Sequence, residues 1–452
     1  MTKVNGINVN KWIDESKLNG FHILVILVCL VIIMCDGYDL FVYGSTVPLL
    51  LKAFSMGPAY AGVIGSYALF GAAVGALLFG SLADKLGRKY TIVCCASLFC
   101  IAMGVTGFTN SPGIFGLFRF IAGVGIGGSM PNVVALASEY MPVRNRAWAV
   151  AAVMSGMVLG GVVAAGIAMW LLPLYGWRAV YFVGAIPLLI IPVAVKFLPE
   201  SPLRLIAKNR LNELRTFLLK LRPLESLAAD STFEINKGSG KAPIVDLFRE
   251  HRGFSTVLMW LLYFMSFYMV YGLGVWLPKL MMNKGFALSK GLWFLLILNL
   301  GAFIISHIAG FLADRFGSKA TIIVCFLVTF ASIALLGYAN GFVTLSILVV
   351  LAGAGNNAGQ NVAHGYVSTF YPPPMRSTGM GFAFGLGRFG AILGPVIGGV
   401  LLGLKMPLTV NFMALAVPGL IAVVLIILVR DKYSFSYLSR QDASKQAGLE
   451  RV

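Results

Sequence analysis

The chain is broken into apolar blocks of roughly 20 residues, the length that at about 1.5 Å per residue crosses a bilayer core about 30 Å thick. Phe21 to Met34, for example, contains no Asp, Glu, Lys or Arg. With 58% hydrophobic and 12% charged residues over 452 positions, there is more apolar surface than one water-soluble core can bury, so a bilayer must be the solvent. Strands of a transmembrane barrel would be about 10 residues long and would alternate apolar with polar, which these blocks do not do. The fold class expected is an all-α integral membrane protein.

Gly, Pro and charge punctuation set spans beginning near Phe21, Ala59, Tyr90, Gly113, Arg146 and Trp177, and again near Phe254, Lys290, Ala320, Phe342, Ser377 and Pro407. The expected division is a six-helix bundle over 1–198, a cytoplasmic central loop over 199–252, and a second six-helix bundle with a cytoplasmic tail over 253–452. Within the loop, Leu203 to Leu221 carries leucines at helical spacing among Arg204, Lys208, Arg210, Arg215 and Lys220, the pattern of a surface helix. The net charge of +18 is spread over the connections and not gathered on one basic face, so nucleic acid is not an expected partner. Most of the basic residues fall on the side that also holds both termini, against Lys52, Arg178, Lys279, Lys284, Lys290 and Lys405 opposite. The positive-inside rule then puts both termini in the cytoplasm of a multi-pass protein, expected in the bacterial inner membrane. The polar first 20 residues are followed by no small-residue cleavage site, so the first span is expected to stay attached. Six cysteines lie in apolar blocks without metal-ligand or disulfide spacing, and no cofactor or metal is expected. No nucleophile–base–orienter set suggests an enzyme, and the loop and tail are too short and charged to be a sensor's output domain.

An internal repeat links the halves. Gly80-Ser-Leu-Ala-Asp84-Lys-Leu-Gly87-Arg88-Lys89 returns as Gly310-Phe-Leu-Ala-Asp314-Arg315-Phe-Gly317-Ser318-Lys319, and Tyr140-Met-Pro142 with Arg146 returns as Tyr371-Pro-Pro373 with Arg376. Six plus six spans with a duplicated G-x3-D-[RK]-x-G-x-[RK] loop resemble the major facilitator superfamily over nearly the whole chain, which implies twelve helices in two pseudo-symmetric halves. The resemblance implies a gating role for Gly80, Asp84, Gly87 and Arg88 and for Asp314 and Arg315, with plain solvation of the loops as the alternative. Ser318 in place of Arg88 departs from the motif and weakens any equal latching of the halves. Asp36-Gly37-Tyr38-Asp39, together with Arg119, Gly123, Gly125, Gly127 and Glu139, is similar to the aromatic acid:proton symporters, carriers of benzoate and hydroxybenzoate anions. Pro199-Glu200-Ser201-Pro202 is shared more widely with sugar and organic-ion carriers.

Asp36, Asp39, Arg119 and Arg388 lie inside apolar spans, where each charge costs about 2.5–3.5 kcal/mol unless paired or hydrated. Burial favours a neutral carboxyl and a nearby Arg favours the carboxylate, so an Asp that alternates between these settings can load and release a proton. Asp36 or Asp39 is the expected proton carrier. The planar, always-charged guanidinia of Arg119 and Arg388 are the expected clamps for a substrate carboxylate, with a structural Asp–Arg bridge as the alternative for Arg119. Glu139 is divided between a proton role and the loop charge network, and His307 between proton relay and helix packing. Asn357, Asn361 and His364 fall on one helical face and either orient substrate or bond between helices. Tyr263, Phe267 and Tyr271, at four-residue steps, form a stripe able to stack an aromatic ring, with Tyr38 a comparable candidate and interface anchoring as the alternative. The expected partners are the bilayer, protons and a small aromatic carboxylate, carried by a protein that works as a monomer. One proton with a monoanion is electroneutral, and a second adds about 2.3 kcal/mol of coupling per 100 mV. The rivals are another organic anion, such as a dicarboxylate or nicotinate, and a proton antiporter. The latter is disfavoured because span five, Gly156 to Gly161, lacks a Gly-Pro kink, although span eleven has Gly394-Pro395.

Overall fold

A computed structural model of the chain describes residues 7–223, 225, 227, 232–234 and 243–438. Its long helices are α2 (Gly20–Ala53), α3 (Pro58–Leu86), α4 (Arg88–Phe108), α5 (Pro112–Tyr140), α6 (Arg146–Val183), α10 (Gly253–Asn283), α11 (Leu288–Phe316), α12 (Ser318–Leu336), α13 (Phe342–Phe370), α14 (Arg376–Gly403) and α15 (Leu408–Leu428). Short helices α1 (Val9–Asp14), α7 (Ile191–Phe197), α8 (Pro202–Ala207) and α9 (Leu211–Leu221) lie between and before them. Among the described residues, eleven stretches are long and apolar enough to cross a membrane. One of these, Val143–Phe197, is broken at Gly176, whose φ of 70° no helix accommodates. Counted as two limbs, it completes the twelve spans expected of a major facilitator fold, with the sixth starting at Trp177.

Two compact units form. The first comprises Met1–Val42 with Tyr67–Gly238, and the second Tyr43–Ser66 with Ser239–Val452. Both are built by close backbone approach, which van der Waals packing between helices in lipid rewards because no hydrophobic force draws helices together there. A Cβ on Gly123 or Gly127 of α5 would sit 2.0 or 1.9 Å from the carbonyl oxygens of Ala68 and Ala72 on α3. A Cβ on Gly37 would sit 2.0 Å from the Met157 carbonyl oxygen, so α2 rests directly on α6. Within the second unit, a Cβ on Gly390 would sit 2.0 Å from the Phe264 carbonyl oxygen, and the Trp276 indole N–H donates to the Pro395 carbonyl at 2.8 Å. These contacts hold α14 against α10.

The polar ends of the first unit form a small subdomain. Leu205, Leu214, Leu218 and Leu221 are buried with Val9 and Ile13, so the amphipathic stripe of the central segment packs on the N-terminal segment. Ile7–Asn8 pairs in parallel with Phe233–Glu234, and the Trp12 indole N–H donates to the Leu218 carbonyl at 3.1 Å. The Asn19 amide donates to the carbonyls of Lys220 (2.8 Å) and Leu221 (3.1 Å), and Arg146 pairs with Asp14 at 2.8 Å.

Replacing Gly127 by Leu should overfill the α3–α5 contact and destabilise the fold by about 3 kcal/mol or more. Gly381→Ala, where an added Cβ meets nothing within 4 Å, should be neutral or slightly stabilising. Thermal unfolding in detergent distinguishes the two, and equal melting temperatures would refute close approach as the reason for Gly127.

Candidate functional site

In the first unit, Gly37 turns one side of the Asp36–Asp39 turn onto α6 and leaves both aspartates facing α5. Asp39 meets Arg119: one guanidinium nitrogen, Nη1, lies 2.5 Å from Asp39 Oδ1 and donates to the Asp39 backbone carbonyl at 2.9 Å. Both side chains are only 1% exposed. Asp36, equally enclosed, accepts from the Ser129 hydroxyl at 2.5 Å. The phenol of Tyr38 points to α6 and donates to the Val180 carbonyl at 2.7 Å. An ion pair this buried holds together because each charge offsets the other's desolvation penalty.

Toward the end of α5, Glu139 pairs with Arg88 at 2.8 Å. Next to them the buried Glu200 accepts from its neighbour's N–H, Ser201, at 2.9 Å and from the Lys89 N–H at 3.4 Å. It therefore caps the N-terminus of α4, where Gly87 (φ 97°) has no side chain to do so. Arg204 donates to the Lys85 carbonyl at 2.5 Å near the end of α3, and the Tyr140 hydroxyl donates to the Glu200 carbonyl at 2.5 Å. A carboxylate at a helix start and a guanidinium at a helix end both complement the helix dipole. In the second unit Asp314 and Arg315 are exposed, as is Gly80 in the first. The second unit's helix ends are joined by Lys319 instead, which donates to the Val429 carbonyl (2.7 Å) and to Asp431 (3.2 Å), while the Tyr366 hydroxyl donates to the other Asp431 oxygen. The side chains of Asp84 and His307 lie outside the described residues.

The second unit gathers rings. Tyr263, Phe267 and Tyr271 are all buried along α10, with successive centroids 6.3 and 6.0 Å apart. His364 on α13 shares a hydrogen bond with the Tyr263 hydroxyl and lies 4.7 Å from the ring of Phe384 on α14. Phe384 also meets Tyr263 at 5.4 Å and Phe267 at 6.0 Å. Arg388, partly buried, stands one helical turn beyond Phe384 and within charge range of Tyr271. Asn357 donates to the Gly353 carbonyl of its own helix at 3.2 Å, and Asn361 is exposed. The amide that crosses between helices is Asn356: it accepts from the Ser266 hydroxyl (3.0 Å) and donates to the Ser266 carbonyl (3.2 Å).

Ser129, Phe384, Glu200 and Asp431 complete these arrangements without having been singled out as site residues. Phe384 was open to recognition, since it precedes Arg388 by four residues and so shares its face. Asp431 stands one position off the repeat offset from Glu200 and on its own carried no signal.

Comparison with known proteins agrees with this architecture. The chain matches the Major Facilitator Superfamily over residues 29–307 and again over 259–449. It is 43% identical to the benzoate transport protein of Acinetobacter baylyi over 434 residues, covering 94% of this chain and 93% of the relative. It is 32% identical to a 4-hydroxybenzoate transporter of Pseudomonas aeruginosa, covering 94% of this chain and 96% of that one. Among solved structures, the xylose transporter XylE from E. coli superposes with a TM-score of 0.69 at 16% identity, covering 90% of this chain and 99% of that one.

Removing one member of the Asp39–Arg119 pair should cost about 3–5 kcal/mol of stability, because the other charge stays buried. Arg119→Gln alone should therefore unfold at a markedly lower temperature than the double variant Asp39→Asn/Arg119→Gln. Strictly additive losses in that cycle would contradict a coupled pair. The chain is a multi-pass membrane protein of the major facilitator superfamily and, within it, belongs with the aromatic acid transporters.

Proposed function

We propose that the chain carries a benzoate-type aromatic carboxylate into the cell together with protons, by alternating access and as a monomer, with both termini in the cytoplasm of a bacterium. The observation that carries the reading is the enclosed Asp39–Arg119 pair. Deprotonated Asp39 occupies the guanidinium. Once Asp39 takes a proton, Arg119 loses its nearest anion, so protonation of Asp39 and loading of a substrate anion favour each other. Proton and anion then enter as one neutral load. Within the second unit Arg388 is the guanidinium assigned to the substrate carboxylate, and the rings of Phe267, Tyr271 and Phe384 supply apolar faces suited to an aryl group. The names of the relatives, a benzoate transport protein and a 4-hydroxybenzoate transporter, support the substrate class.

Purified protein in liposomes with an alkaline interior should accumulate radiolabelled benzoate, and a protonophore should abolish the accumulation. Asp39→Asn should lose gradient-driven accumulation at least tenfold. Arg388→Ala should raise KM about tenfold or more, the loss expected for a charged hydrogen bond to substrate. Benzoate uptake that ignores the pH gradient would rule out proton coupling, and no uptake by folded protein would rule out the substrate class.

A further inference from the structure

The ring cluster of the second unit is graded along its length. At one level of α14 stands Arg388, whose charge reaches Tyr271. One turn earlier, about 6 Å along the axis, Phe384 packs against His364 at 4.7 Å and Tyr263 at 5.4 Å. That rise is the length scale of one benzene ring with its carboxylate. Gly387, next to Arg388 in sequence, lets the Phe267 ring come to 2.8 Å of where a Cβ would stand, so the ring of α10 lies close against α14 at this level. At the far end the polar groups, the Tyr263 hydroxyl and the His364 ring nitrogen Nδ1, are bonded to each other, and that hydroxyl also lies 3.9 Å from the Met380 sulfur.

We infer that the Tyr263–His364 pair sets substrate specificity, selecting aromatic carboxylates that lack a hydrogen-bonding group opposite the carboxylate. This rests on the proposed uptake of aromatic carboxylates, with the substrate carboxylate held by Arg388. An unsubstituted ring then ends against two polar groups that already bond each other. Whichever of the two donates, the Tyr263 hydroxyl keeps a further hydrogen-bonding position, so a para-hydroxyl reaching the same place gains at most one bond from it unless it breaks the Tyr263–His364 bond. In a desolvated site one bond does not replace those the hydroxyl makes to water, which disfavours it. An incompletely paired hydroxyl is discriminated against by up to about a hundredfold, so the predicted preference lies within that range. Phe384 is a positioning residue for the pair, since its ring backs both members.

The test measures inhibition constants of benzoate and 4-hydroxybenzoate against radiolabelled benzoate uptake in liposomes, for the wild type, Tyr263→Phe and His364→Leu. The readout is the ratio of the two constants within each protein, which is independent of changes in overall rate. In the wild type, benzoate should bind about tenfold or more tightly. Tyr263→Phe leaves the ring in place and releases His364 Nδ1, and His364→Leu releases the Tyr263 hydroxyl. Each should bring the ratio at least fivefold toward unity. A Phe384→Leu protein should weaken both ligands and move the ratio less than either. An unchanged ratio in whichever of the two variants folds would overturn the inference while leaving benzoate transport intact. A wild type that prefers 4-hydroxybenzoate would also overturn it. A folded wild type that takes up neither compound would overturn the proposed function and the inference with it.

Discussion

A charge inside an apolar bilayer has to be answered by an opposite charge or by polar groups held at fixed distance, and that constraint organises the first unit. Asp39 and Arg119 sit on different helices, α2 and α5, so their contact depends on how closely those helices are held. Gly37 seats α2 on the backbone of α6, while Gly123 and Gly127 seat α5 on the backbone of α3. Shifting either helix outward by the width of one methyl group would open the 2.5 Å contact and weaken the pairing of two buried charges. The small residues around the motif and the charged residues within it are therefore two halves of one requirement.

The two units close their α3–α4 and α11–α12 corners by the same logic with different residues. In the first, Glu200 caps the start of α4 while Arg204 holds the end of α3. In the second, the long side chain of Lys319 reaches across to the Val429 carbonyl and Asp431, and Tyr366 joins from α13. Ser318, standing where the first unit has Arg88, is too short to make the counterpart of the Arg88–Glu139 pair. A duplicated backbone has kept the electrostatic task and exchanged the side chains that perform it.

Fold class, span number and even the break before Trp177 were legible in the sequence, because hydrophobic block length and Gly punctuation act locally along the chain. So was the concentration of charge at Asp36, Asp39, Arg119 and Arg388, since any ionised group in an apolar block demands an explanation. What periodicity could not supply was partner choice. It marked Asn357, Asn361 and His364 as one face, but which amide crosses to α10 depends on how α13 is rotated against its neighbour, and the crossing falls to Asn356. It likewise left open whether Arg119 would meet an aspartate of span one, a matter of distance between helices that are far apart in sequence. The pairing of Ile7–Asn8 with Phe233–Glu234 had no signal at all, because two-residue strands carry no pattern.

That pairing bears on the order in which the protein can be made. Trp12 is synthesised early, yet the carbonyl it donates to belongs to Leu218, 206 residues later. At translation speeds of about 5–20 residues per second, the N-terminal segment waits on the order of 10–40 s for its partner to leave the ribosome. During that interval Val9, Trp12 and Ile13 can meet the apolar residues of α2, α5 and α6 but lack Leu205, Leu214, Leu218 and Leu221, the leucines of the central segment that complete their cover. Completion of the first unit is thus timed by the central segment, and the helices that carry Asp39 and Arg119 are in place before the N-terminal segment closes over its end.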